Sequence, residues 1–380
     1  MELIRHSEGK TVLLVPRASL EQIPPPTSPI FFNPAASLNR DITVAITSAD
    51  GGSTFCDSMA GVGARGLRVA SEVKDIAEVS LVDFNGGALA AARRASVLNR
   101  VRRKCEFTES ETSSYLFSRL GRDQRFDYVD IDPFGSPIRQ IQAALSATSE
   151  GGILSLTATD TAVLSGVHRV TCQRRYWSFP LNNHFNHETG IRILVGVTAR
   201  LGASFDIGIE PVAAHSTKHY VRVFLRVEPG ASKADFALTN LGSTTWCPSC
   251  GETRTMSTPE SRCSQCGMRT KVAGPLWVGN LAQEEIIQKA RKEASARGYR
   301  DAEEILESLI GVNRFPPWSF SIERICSVLK VPSVPESAVY RYLLGSGRRV
   351  MRTPFEKAGL KTDARFSEVV EAVKSSRVGR

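Results

Sequence analysis

Short apolar runs, separated by loops and longer alanine-rich stretches, give the first half of this chain a strand, loop, helix rhythm. Ser53–Cys56 reads as a short strand ending at Asp57, and the turn Gly61-Val62-Gly63-Ala64-Arg65-Gly66 opens a helix from about Leu67 to Val73. Further strands are expected over Glu78–Phe84, Lys104–Phe107, Phe126–Ile131 and Gly152–Thr157. Helices are expected over Gly87–Asn99, Pro137–Ala147 and Ile191–Leu201. Alternation of this kind predicts an α/β fold with a parallel, doubly wound sheet. Phe205–Ala213 and Tyr220–Glu228 read as a closing hairpin, an antiparallel addition at the sheet's edge.

The 380 residues suffice for two domains, each with its own core. Pro229-Gly230 and the polar run to Lys233 mark the expected division into residues 1–231 and 232–380. The second part is expected to hold helices at about Asn280–Arg297, Ala302–Ile310 and Ser321–Leu329.

At 42% hydrophobic and 23% charged, the composition is that of an ordinary globular chain. No run approaches the ~18 apolar residues that span a membrane, and Met1–Pro16 lacks the features of a secretory leader. A cytoplasmic location is expected, with no membrane partner and no obligate protein partner. The net charge of +9 is uneven: residues 1–231 hold 25 basic and 23 acidic side chains (+2), and residues 232–380 hold 23 and 16 (+7). A basic second part points to a polyanion, most simply nucleic acid, with Arg348, Arg349 and Arg352 as candidate phosphate contacts. A merely solvated charged surface is the alternative.

Of eight cysteines, Cys56, Cys105, Cys172 and Cys326 are scattered and read as small buried hydrophobes. The others form Cys247-x2-Cys250-x12-Cys263-x2-Cys266, a spacing that suits tetrahedral zinc through four thiolates. Four protein ligands leave no open position, so such a site is structural. Disulfides are the alternative, without a secretory context to support them.

Asp132-Pro133-Phe134-Gly135 follows the strand-like run Phe126–Ile131 and so falls at a strand's carboxyl end, where open α/β sheets bind ligands. A carboxylate there can accept a hydrogen bond from an exocyclic amine, while a proline stiffens the backbone and a ring stacks on a flat base. The set suits methylation of a nucleobase amino group. Asp57 followed by Gly61-x-Gly63, between strand and helix, lets a ligand approach the backbone closely. Alone, such a turn serves NAD, FAD, S-adenosylmethionine or packing. Asp83, ending the second strand, suits ribose hydroxyls. Glu111, after the third strand, suits an adenine amino group, with Glu109 as rival. Arg40 and Arg65 can each pair bidentately with a cofactor carboxylate, and Arg40 is also placed to brace a local ion pair.

Several stretches together resemble the tRNA (guanine-26-N2)-dimethyltransferase family, in a compact archaeal-type form. They are Phe31-Phe32-Asn33-Pro34 with Leu38-Asn39-Arg40-Asp41, Asp130 through Pro137, Thr157-Ala158-Thr159-Asp160, Arg175-Tyr176, and His187-Glu188 with Ile191-Arg192-Ile193-Leu194. Gly274 through Gly279 and Leu360-Lys361-Thr362-Asp363 extend the resemblance over nearly the whole chain. It implies a class I S-adenosylmethionine-dependent methyltransferase fold on residues 1–231 and a smaller zinc-containing α/β domain on 232–380 that binds tRNA. It implies methyl transfer to the exocyclic N2 of guanine 26, giving N2-methyl- and N2,N2-dimethylguanosine. Asp132, Pro133 and Phe134 become the catalytic positions; Phe31, Arg40, Asp57, Gly61, Arg65, Asp83 and Glu111 bind S-adenosylmethionine; Cys247, Cys250, Cys263 and Cys266 bind zinc. Glu111 departs from the aspartate more usual at that position. An N2-guanine methyltransferase for another tRNA position, the same Asp-Pro-Phe tool acting on adenine N6, or a non-catalytic RNA-binding zinc protein are the other readings.

Overall fold

The computed structural model describes residues 2–120, 124–217, 220–356 and 359–376. After an antiparallel hairpin, β1 (Leu3–Glu8) and β2 (Thr11–Pro16), come β3 (Thr54–Asp57), β4 (Glu78–Asp83), β5 (Cys105–Glu109), β6 (Phe126–Ile131), β7 (Thr148–Ala158), β8 (Ile207–Ser216) and β9 (Val221–Pro229). These seven form one sheet in the order β5-β4-β3-β6-β7-β9-β8. Parallel ladders join β5 to β4, β4 to β3, β3 to β6 and β6 to β7. Only four residues separate β8 from β9, too few for the crossover a parallel pair needs, so these neighbours run antiparallel. The expected doubly wound sheet with an antiparallel edge is present.

From β3 the chain steps outward to β4 and β5, then returns with β6 to the other side of β3. That reversal opens a crevice beyond the carboxyl ends of β3 and β6. β6 (FDYVDI) is buried at every position but Asp127, as a strand covered on both faces is. The helix Ala64–Glu72 begins earlier than expected because Gly63 caps it in the left-handed conformation, at φ 75°. A Cβ at Gly63 would also lie 2.9 Å from Ala92 and from Leu81, so only glycine fits. Pro137 to Gln140 form a turn, and the helix there is confined to Ile141–Ala147.

The chain forms two compact units whose segments interleave: one holds the residues up to Thr157 with Phe224–Pro229 and Gln283–Glu307, the other holds the rest. In the first, the helix Glu284–Arg297 packs on the helix Ser37–Asp50, and Arg297 donates to Ser48 Oγ at 3.0 Å and the Glu72 carbonyl at 3.1 Å. Arg68 is wholly buried among Glu8 (3.0 Å), Asp41 (2.6 Å) and Glu72 (3.0 Å).

The second unit contains two small antiparallel sheets. One is β11 (Thr253–Met256), β10 (Leu241–Trp246) and β12 (Lys271–Trp277), in that order; the other is β13 (Phe320–Ser321), β15 (Gly359–Thr362) and β14 (Val350–Arg352). The helices Ile322–Leu329, Glu336–Gly345 and Phe366–Ser375 close over a core that includes Ile325, Val339, Leu343, Leu360 and Val369. In the stretch 229–233, expected to mark the division, Gly230 caps the helix Ala231–Thr239. Cys56, Cys105, Cys172 and Cys326 are all buried, as expected.

Glu188, wholly buried in the helix Asn186–Ala203, accepts from Arg192 (2.8 Å), Lys361 Nζ (3.0 Å) and the Trp318 backbone N–H (3.0 Å). Burial opposes its charge, but the two cations and their hydrogen bonds hold its carboxyl down to about 2. The same burial, with Arg192 nearby, pushes the Lys361 ammonium down to about 8 despite Glu188. An unfolded chain protonates this carboxyl near 4.5, so the stabilisation is complete above that pH and is lost as pH falls toward 2. Roughly 3 kcal/mol is at stake across that window. Urea titrations between pH 6 and 2.5 should show this acid limb, and Glu188→Gln should flatten it while lowering stability at pH 7 by about 3–5 kcal/mol. An unchanged limb in the variant would assign it to other carboxylates.

Candidate active site and metal centre

Asp57 ends β3, Asp83 ends β4, and Asp132 lies one residue past β6, so the sheet register alone gathers three acids at the crevice. Asp130 and Asp132 stand two apart at the end of β6 and point the same way. Arg65, buried in the first turn of the helix Ala64–Glu72, meets both: Nε lies 3.1 Å from Asp130, and Nη2 donates to Asp132. Its Nη1 donates to Asn39 Oδ1 and Thr43 Oγ1, both at 2.8 Å, fixing the fork in one orientation. Burial opposes the guanidinium's charge, but the surrounding carboxylates raise its pKa further above the ordinary value.

Asp57 is buried and accepts the Gly66 N–H at 2.8 Å. Desolvation pushes its carboxyl up to about 7; Asp130 and Asp132 add to the rise, against the pull of Arg65 and the Gly66 hydrogen bond. Asp83 accepts the Gly61 N–H at 2.7 Å and the Asn85 N–H at 2.8 Å, which ties the glycine turn to the end of β4. Asp132 keeps part of its side chain in solvent, and the Phe134 ring is 70% exposed, an unusual placement for phenylalanine. Phe31 meets that ring edge-on, with centroids 4.8 Å apart. Residues far apart in the chain thus form one aromatic wall beside one carboxylate.

Two other expected cofactor contacts, Arg40 and Glu111, have hydrogen-bond partners within the chain. Arg40 is buried and grips Glu8 with two hydrogen bonds, at 2.6 and 2.5 Å, while reaching the Asn33 carbonyl at 3.1 Å. Its guanidinium therefore braces the Phe31–Arg40 segment, through Glu8 rather than the adjacent Asp41. Glu111 is exposed and accepts the Ser114 N–H at 2.8 Å at the start of the helix Thr112–Leu120. Desolvation opposes its ionisation, but hydrogen bonds from Ser113 and Ser114 win and lower its pKa. Glu109 lies level with Asp83 in the sheet register. Asp130, Asn39 and Thr43 were not anticipated; the Asp-x-Asp spacing was the available signal for Asp130.

The donor set fits S-adenosylmethionine. Carboxylates at the ends of β4 and β5 suit ribose hydroxyls and an adenine amine, and the buried guanidinium suits an amino-acid carboxylate.

Cys247 and Cys250 flank the tip between β10 and β11, and Cys263 and Cys266 form a second knuckle. All four sulfurs lie within 4.8 Å of one another, with Cys247 to Cys266 and Cys250 to Cys263 at 3.5 Å. A zinc tetrahedron with ~2.3 Å bonds spaces its sulfurs about 3.8 Å apart, so the donors fit. Each knuckle closes identically, Gly251 N–H to the Cys247 carbonyl and Gly267 N–H to the Cys263 carbonyl, both 2.8 Å. The three candidate phosphate-binding arginines are each paired: Arg348 with Glu368 (2.6 Å), Arg349 with Asp363 (2.9 Å) and Arg352 with Glu336 (3.5 Å).

The family model described as "N2,N2-dimethylguanosine tRNA methyltransferase" matches residues 9–374. The tRNA (guanine(26)-N(2))-dimethyltransferase of Methanopyrus kandleri is 35% identical over 382 residues, covering 100% of this chain and 98% of that protein. The enzyme of the same name from Methanothermobacter thermautotrophicus is 32% identical, with 98% of each covered. The structure of Trm1 from Pyrococcus horikoshii with S-adenosyl-L-methionine superposes with a TM-score of 0.83 at 30% identity, covering 97% of this chain and 99% of that one. The likeness spans segments of both units, residues 9–374, and the chain belongs to the N2,N2-dimethylguanosine tRNA methyltransferase family.

Proposed function

We propose that this protein transfers methyl groups from S-adenosylmethionine to the exocyclic N2 of guanine 26 in tRNA, forming N2-methyl- and N2,N2-dimethylguanosine. The observation that carries the reading is the placement of Asp132 beside the exposed Phe134 ring at the sheet's reversal, in a chain that matches this family from end to end. The cofactor supplies an electrophilic methyl group on a sulfonium.

Everything else falls to the chain. The guanine amine is a weak nucleophile because its lone pair is delocalised into the ring. Asp132 accepts a hydrogen bond from that amine and turns the lone pair out of the ring plane. Pro133 stiffens the backbone beside it, and Phe134 holds the base by stacking. Arg65 fixes the Asp132 carboxylate from behind. Orientation of this kind supplies ~7 kcal/mol or more of a barrier. Phe31, Asp57, Gly61, Arg65, Asp83 and Glu111 hold the cofactor, and Arg40 positions the Phe31 segment through Glu8. The base must leave its stack to reach the crevice, at a cost of a few kcal/mol.

We assign catalysis to residues 1–231 and tRNA contact to 232–380, where the excess of seven positive charges resides. No helix among the described residues is long and apolar enough to cross a membrane, and we place the reaction with tRNA in the cytoplasm.

The reading is tested by incubating the protein with S-adenosylmethionine and unmodified tRNA, then mapping modified nucleosides by mass spectrometry. Dimethylated guanosine at position 26 is expected. A methyl group on adenosine or on another guanosine would redirect the specificity, and tRNA binding without any methylation would overturn the enzyme.

A further inference from the structure

The helix Arg169–Tyr176 follows β7 and carries a surface that the proposed reaction does not use. Its inner side chains, Cys172 and Tyr176, are completely buried. Tyr176 donates to Asp160 at 2.7 Å, and Arg175 pairs with the same carboxylate at 2.9 Å. The outer stripe is Val170, Arg174 and Trp177, one helical turn apart. Val170 is 73% exposed and Trp177 52% exposed, with Val167, His168 and Arg169 also in solvent.

Trp177 closes this helix in the left-handed conformation, φ 47° and ψ 37°, a position that glycine or asparagine normally fills. Arg200 pins the turn by donating to the Tyr176 carbonyl at 2.9 Å and the Trp177 carbonyl at 3.3 Å. A bulky residue held in a disfavoured conformation, with half its surface in water, is an unusual setting for tryptophan. An exposed indole on the same helix stripe as exposed Arg174, with Arg169 in solvent one turn further back and its guanidinium over the Phe179 ring at 4.7 Å, offers what single-stranded nucleic acid uses: a π face for the base and cations for the backbone.

We infer that Trp177, with Val170 and Arg174 beside it, is a stacking platform for an unstacked base of the RNA substrate, Arg174 and Arg169 facing its phosphates. The inference rests on tRNA being the substrate and extends RNA contact into residues 1–231, which are nearly neutral in net charge.

Iodide quenching provides a direct measurement, because Trp277 and Trp318 are buried and Trp177 is the most exposed tryptophan. Unmodified tRNA should protect a quenchable fraction that is missing from Trp177→Ala. In methylation assays, that variant should raise the KM and Kd for tRNA by about tenfold, as loss of one stacked base predicts. kcat at saturating tRNA and S-adenosylmethionine affinity should stay within about twofold. Trp177→Phe should recover most of the affinity, and Arg174→Ala should reduce the salt slope of tRNA binding by about one. Trp177→Gly relieves the backbone while removing the ring; it should melt no lower than the parent yet bind tRNA as weakly as the alanine variant. An active parent whose tRNA affinity is untouched by these changes would sink the platform and leave the proposed function standing. Protection of Trp177 by self-association rather than by tRNA would overturn it too. A parent that methylates no guanosine would instead count against the proposed function.

Discussion

Replacing Asp132 by alanine is expected to cut methyl transfer at saturating substrates by about 10²–10⁴-fold, with tRNA affinity nearly unchanged. The carboxylate is the one partly solvated acid of the group around Arg65, so it alone can meet an incoming amine while Asp57 and Asp130 stay enclosed. Asp132→Asn keeps an acceptor oxygen without the charge and should fall between the parent and alanine. Both changes also free one arm of Arg65, whose remaining bonds to Asn39, Thr43 and Asp130 hold it in place. S-adenosylmethionine affinity, read by calorimetry, should therefore move only a few-fold. If KM for the cofactor rises steeply while kcat holds, Asp132 acts only by orienting Arg65 and has no part at the amine.

The strands that carry these groups were legible because they are short runs rich in β-branched and aromatic residues, with acids at or near their ends. The glycine turn was legible as a ligand loop, but its Gly61-x-Gly63-x-x-Gly66 spacing is shared with dinucleotide-binding turns, so the cofactor followed from family resemblance. The cysteine spacing needed no fold at all: the knuckle geometry is local, and the sulfurs converge as the spacing requires.

What stayed hidden is long-range. Arg68 appears in sequence as one more polar residue of a helix with Glu72 one turn on, yet Glu8 and Asp41 converge on it from two other elements. Arg40 was placed at the cofactor by resemblance, and its partner Glu8, 32 positions away, is invisible to local pattern. Charge counting likewise pointed to Arg348, Arg349 and Arg352, whose acidic partners, Glu368, Asp363 and Glu336, lie further along the chain or before them. Surface pairs of this kind contribute little to stability, but they lessen the positive field an RNA backbone would meet.

Removing the metal from the four-cysteine site should have the largest effect on stability. Structural zinc contributes on the order of 10–16 kcal/mol to small isolated knuckles, and the β10–β12 sheet is too small to replace that with apolar burial. The damage should spread, because the Phe366 ring at the head of the helix Phe366–Ser375 lies so close to Gly251 that a Cβ there would collide with it. Phe366 in turn stacks on His184, with centroids 4.7 Å apart. Elemental analysis is expected to give one zinc per chain for the parent and none for Cys263→Ser, which should also lower Tm by on the order of 10 °C or more, at about 2–4 °C per kcal/mol for a domain of this size. tRNA affinity should fall with it. S-adenosylmethionine binding should persist, since every residue assigned to it belongs to the first unit, which has its own core. A zinc-free parent, or a Cys263→Ser variant that melts with the parent, would reduce the cluster to four thiols without a structural role; simultaneous loss of cofactor binding would show that the first unit cannot hold its fold alone.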